Sequence, residues 1–217
     1  MFPAMKTPPE NPSPKTSPAD RAATPDEILK QLHEGQFPLA FTLAERLVQA
    51  QPESPMAHRL LAMGHLALGR PDEALDSLDT CLELHEKNPA ELDPEDLANV
   101  YATRALVQLQ QDDLWDAAED AQKALELNPN EPDALFVAMV AAADEEQFDV
   151  AHKHAVRLVE LAPESPDVHA WLARILSAQG HKREAAKAAA RSRELGFTTS
   201  ELEAIEKEGI DPNAPSA

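Results

Sequence analysis

Eight histidines and a single cysteine are the residues of this sequence best suited to hold a metal or attack a substrate. His58 and His65 stand two turns apart on one face of a helix, and Cys81 and His85 stand four apart. His152 and His154 are two apart, which points them to different sides. Each pair offers two ligands, whereas a structural zinc site takes four and a catalytic one takes three plus water. These side chains are therefore expected to pack. Cys81 allows no internal disulfide and suits a reducing compartment. No glycine-rich phosphate loop, serine elbow or zinc-protease motif occurs. Asp and Glu total 39 against 19 Lys and Arg, for a net charge of −20. Their spacing is that of solvated helix faces, and catalytic carboxylates need a cleft that shifts their pKa. No enzymatic activity and no cofactor is expected. The same charge makes nucleic acid and anionic membranes poor partners.

The elements that would position these residues are helices. Apolar residues make up 43% of the chain but aromatics only 4%. Alanine fills many apolar positions, which suits helices packed at close range. Alternating strand-like stretches are missing. The longest apolar run, 135–143, has nine residues, too few to cross a bilayer. No apolar stretch of signal-peptide length opens the sequence, so a soluble, cytoplasmic protein is expected. Residues 1–22 are proline-rich and polar and are expected to be disordered, as is the tail 209–217.

A repeat emerges from its punctuation. Pro52-Glu53-Ser54-Pro55 is echoed by Pro163-Glu164-Ser165-Pro166, with Pro129-Asn130-Glu131-Pro132 between them. The first proline ends one helix and the second opens the next, where a missing N–H costs nothing. Ser54 and Ser165 are suitable N-caps, and Thr24-Pro25 and Asp93-Pro94 give the same signal. Gly35, Gly69 and Gly180 fall where a helix pair must turn through a left-handed residue. Five residues later stands Ala40, Ala74 or Ala185, and Ala117 and Ala151 hold that slot in two further units. A small residue there lets two helix backbones approach closely.

These residues resemble the tetratricopeptide repeat, a unit of 34 residues with this glycine, alanine and proline spacing. The resemblance implies an all-α, right-handed α-solenoid of about five helix-turn-helix units over 23–208. The units fall at 21–54, 55–88, 98–131, 132–165 and 166–199, and a capping helix follows at 199–208. The departures also carry predictions. The late Pro25 shortens the first helix by a turn, and the early Pro94 lengthens the third unit's leading helix after an inserted loop at 85–93. Asp112 and Glu146 replace the turn glycine. The family's large aromatic near the start of the leading helix is replaced by His58, Tyr101, Leu135 and His169.

In that family, leading helices line a concave groove through their second, fifth, ninth and twelfth positions. Those positions hold Met56, Arg59, Met63 and Leu66, then Asn99, Ala102, Leu106 and Leu109. Asp133, Phe136, Val140 and Ala143 follow, then Asp167, Ala170, Arg174 and Ser177, with Val137 and Trp171 beside them. The resemblance thus implies an apolar, methionine-containing groove that receives a peptide or helix of a partner protein, the function of an adaptor. A client-specific holding chaperone is the alternative, and a self-assembling scaffold a third. For the last, Arg183, Lys187 and Arg191 form a basic stripe in a unit with six cations against three acids. The units 98–131 and 132–165 each carry seven acids against two cations. Self-association is not favoured, and a solvated face is the plainer reading of the stripe. Trp115 is expected to be exposed, a weaker contact candidate.

Overall fold

The computed structural model describes residues 23–209, so the two expected disordered tails lie outside it apart from Gly209. Among the described residues there are eleven helices and no strands. They pair in chain order: α1 (Pro25–His33) with α2 (Phe37–Ala50), α3 (Pro55–Ala67) with α4 (Pro71–Lys87), and α5 (Pro94–Gln110) with α6 (Leu114–Leu127). Then come α7 (Pro132–Asp144) with α8 (Phe148–Leu161), and α9 (Pro166–Ala178) with α10 (Lys182–Glu194). The last helix, α11 (Ser200–Gly209), packs on α9 and α10 and buries Leu202 and Ile205 there.

Local chemistry sets these boundaries. Every leading helix from α1 to α9 opens on a proline. The Thr24 hydroxyl accepts from the Glu27 N–H, Ser54 from Ala57 and Asp93 from Asp96. Ser165 departs from expectation, since its backbone is extended as an N-cap requires but its side chain makes no capping bond. Thr199 caps α11 through the Leu202 N–H. Gly35, Gly69 and Gly180 have positive φ, and so do their non-glycine counterparts Asp112 (61°) and Glu146 (58°). The alanine column Ala40, Ala74, Ala117, Ala151 and Ala185 is wholly buried, each at 0% exposure. A larger side chain there would push two helices apart.

The irregular third unit is built differently from the predicted loop. His85, Glu86 and Lys87 continue α4, giving it 17 residues where α6 and α8 have 14. Only 88–93 is non-helical. Asn88 Nδ2 donates to the Glu91 carboxylate at 3.3 Å, the contact that Asn128 makes with Glu131 at the next junction. The Ser54 hydroxyl also donates to Glu91. Leu92 is buried with Leu78, Leu82 and Val100, so the extra residues plug the space between α4 and α5. This seam is sparse: α5 touches α4 much less than it touches α6 or α7.

Leading helices also meet each other, α1 on α3, α5 on α7 and α9 on α11, while the second helices pack chiefly on leading ones. The leading layer is therefore the tighter one. Two histidines hold turns in this stack. His58 Nε2 lies 3.0 Å from the Pro52 carbonyl and His169 Nε2 lies 2.9 Å from that of Pro163. A carbonyl only accepts, so each ring donates, clasping the loop before its own helix.

Candidate interaction surfaces

The residues expected to line the groove divide into two sets. Met56, Met63, Leu66, Leu106, Leu109, Phe136, Val140 and Trp171 are half-buried along the leading helices. Ala102, Val137 and Ala170 are not surface residues: their exposures are 0%, 0% and 1%. They are pressed between helices, Ala102 and Val137 in the α5–α6–α7 contact and Ala170 under α10 and α11. Ala105, Leu135 and Met139 are buried in the interhelical face as expected, while Leu61 is only half-buried.

Phe136 is more than a lining residue. Its ring meets Trp171 edge to face, with centroids 6.3 Å apart and planes at 85°, so it also joins α7 to α9. The geometry favours the positive ring edge over the negative ring face. Trp171 carries the Arg174 guanidinium 5.3 Å above its ring, and Arg174 Nε donates to Glu201 at 2.8 Å. At the other end Arg59 pairs with Asp96 at 2.9 Å and donates to Asn99 at 3.2 Å. Both arginines of the expected groove thus have protein partners. Near Arg59, burial together with the neighbouring Asp133 raises the Glu131 carboxyl above its usual range, and burial raises Asp133. This end of the strip is acidic and partly dry.

Within the basic stripe, Arg191 is answered by acids of the same chain. Arg191 reaches Glu164 at 3.0 Å and Glu194 at 3.3 Å. Its flanking cations Lys182 and Arg193 pair with Glu208 and Glu206 of α11. Lys187 and Arg183 stand exposed on α10. The flanking Lys182 and Arg193, rather than the stripe itself, help seat the last helix.

Histidine and cysteine behave as packing groups. Among the described residues no three His, Cys, Asp or Glu side chains gather as metal ligands. Cys81 is fully buried and its thiol pKa is pushed up to about 12 by desolvation. His65 stacks edge-on to Phe41 at 5.0 Å, and burial lowers its pKa.

A second surface was not read from the sequence. α6 and α8 both pack on α7 and leave a furrow between them, with Ala138, Ala141 and Ala142 of α7 as its floor. Two adjoining hollows of about 340 and 400 Å³ share Ala118, Gln122, Ala141 and Glu145 in their linings. Trp115 stands at the mouth, 76% exposed, as the sequence led us to expect. The residue types that make the floor are small, and small residues had signalled only close packing.

Comparison with known proteins supports the repeat reading. A family model described as tetratricopeptide repeat matches residues 53–130. A search of curated proteins returns no match. Among solved structures, YrrB, described as a TPR protein with an unusual peptide-binding site, is 14% identical. It covers 84% of this chain and 89% of its own at a TM-score of 0.63. PilF of Pseudomonas aeruginosa is 16% identical over 83% and 78%, with a TM-score of 0.66. MamA of Desulfovibrio magneticus RS-1 is 17% identical over 78% and 91%, with a TM-score of 0.62. At these identities the likeness is one of fold. No helix among the described residues is long and apolar enough to cross a membrane.

Proposed function

We propose that the chain, which matches a tetratricopeptide-repeat family model over residues 53–130 and shares its fold with solved repeat proteins, is a non-catalytic protein-interaction scaffold. Its partner contributes an apolar peptide or helix to a concave groove formed by the leading helices. The observation that carries this reading is the half-exposed strip from Met63 and Leu66 through Leu106 to Val140, continued by the Phe136–Trp171 pair. Soluble monomers rarely leave so continuous an apolar strip without a use for it. Met56 and Met63 add flexible side chains that adapt to different ligand shapes. A holding chaperone would use the same surface. The self-assembling scaffold loses support, because Arg191 and its neighbours are engaged within the chain.

Selection of peptides from a displayed random library against the purified protein tests the groove. Selected peptides should share an apolar pattern and lose about thirtyfold in affinity for Leu66→Glu or Val140→Glu, the worth of a central anchor of about 2 kcal/mol. Both variants should keep their melting temperatures, whereas Ala117→Leu, in the buried alanine column, should lose about 1–3 kcal/mol of stability by overpacking. Recovery of no peptides, or peptides indifferent to Leu66 and Val140, would reject the proposal.

A further inference from the structure

We propose that the furrow between α6 and α8 is a second docking site, which takes a basic, apolar helix of a partner protein. It faces away from the strip of the leading helices. At 3.6 residues per turn, Phe136, Val140 and Ala143 lie about 180° around α7 from Ala138, Ala141 and Ala142. One helix thus presents an apolar stripe on each side, which explains why its nine-residue run 135–143 shows no polar face.

The shape selects a helix. Both walls are helices, and the floor between them is alanine, so a helical ridge can settle into the furrow as neighbouring helices do elsewhere in the stack. The electrostatics select its charge. Glu119, Glu126, Asp144 and Glu145 line the two hollows, and no Lys or Arg does. The nearby Lys123 is engaged with Glu119 at 2.7 Å and Asp120 at 3.7 Å. His154 adds no counter-charge at neutral pH, since burial and then Lys153 lower its pKa. Trp115 at the mouth offers an open indole face, the best aromatic surface for a Lys or Arg of the incoming segment. An apolar stripe on the partner would cover Ala118, Leu125 and Val150.

The two tryptophans make the test specific to each face, because Trp115 stands at the furrow and Trp171 on the leading-helix strip. The full chain is prepared as Trp171→Phe, which leaves Trp115 as the reporter, and as Trp115→Phe, which leaves Trp171. The probes are three synthetic peptides of about four turns, with one leucine stripe and flanks of Lys, Gln or Glu. The Lys peptide should shift the Trp115 emission and bind at least about tenfold more tightly than the Gln peptide, with the Glu peptide weakest. Ala118→Arg, which fills the furrow and adds a cation, should remove about tenfold of that affinity while leaving the melt unchanged. Equal binding of the three peptides overturns the charge assignment, and with it the proposal. A response from Trp171 without one from Trp115 overturns the second site but leaves the leading-helix groove standing. No response from Trp115 to any peptide overturns it too.

Discussion

Arg104 of α5 grips Asp120 of α6 through two parallel hydrogen bonds, Nε to Oδ2 at 2.6 Å and Nη2 to Oδ1 at 2.8 Å. Asp120 is 2% exposed, so this is a desolvated pair. The remaining guanidinium nitrogen, Nη1, donates to Asp79 of α4 at 2.6 Å, so one side chain straps three helices. These partners outweigh burial and raise the Arg104 pKa above its ordinary value.

Removing Arg104 leaves the buried Asp120 carboxylate with only the longer ion pair to Lys123, at 3.7 Å. Arg104→Met is expected to cost about 3–5 kcal/mol in denaturant unfolding. The double variant Arg104→Met with Asp120→Leu should recover much of that loss, because it leaves no charge to compensate. A double variant as unstable as the single one would show that the strap itself, rather than the carboxylate it leaves behind, carries the stability.

Glu146 sits at φ 58° in a turn where three other units have glycine. A left-handed backbone costs a residue with a Cβ about 1–2 kcal/mol. Glu146→Gly should therefore stabilise the chain by about 1 kcal/mol, raising a scanned melting temperature by about 2–4 °C. Gly180→Ala, at φ 80° with open space around it, should lower it. A fall on Glu146→Gly would mean that the Glu146 side chain contributes more than its backbone strain.

Cys81 gives a pH dependence with a definite sign. Its folded pKa, about 12, lies above the ordinary thiol value of 9.0 because the thiolate is desolvated. The unfolded chain therefore loses this proton first as pH rises. The contribution of Cys81 is fully present below about pH 9 and is lost progressively towards pH 12. Urea midpoints of the native chain should fall more steeply over that window than those of Cys81→Ala. Parallel curves for the two proteins would show that the thiol titrates freely.

Much of this architecture was legible because it repeats. Ala117 and Ala151 marked the close helix contacts, and Glu146 marked a left-handed turn despite the missing glycine. The strap was written in the same columns but not read. Arg104 occupies the slot of Leu61, Ala138 and Leu172, and Asp120 that of Leu43, Ser77 and Ala188. Opposite charges in two facing columns of mostly apolar or small residues predict an ion pair. The end of α4 was misplaced because a fixed spacing of 34 conceals extra residues, whereas Asn88-Pro89 repeats the ending Asn128-Pro129. Ala102, Val137 and Ala170 were assigned to the surface by position alone. Ala102 and Ala170 recede between the backbones they bring together, while Phe136 in the same slot projects beyond them. Val137 lies about 100° around α7 from Phe136, turned into the contact with α5 and α6. The furrow was not legible from any single column, because its walls and floor come from three helices.

The sparse seam at α4 and α5 has a bearing on how the whole chain unfolds. In a linear array, neighbours share stability only through their common interface, so cooperativity is transmitted unit by unit. Here that transmission narrows to the Leu92 plug and a few polar arms, Arg104 to Asp79, Arg59 to Asp96 and Asn99, and Gln111 to Asp72. The stack is thereby divided into two blocks, α1–α4 and α5–α11, each better knit within than to the other. A ligand lying across Met63 and Leu106 would bridge that division, and its binding energy would be returned as coupling between the halves.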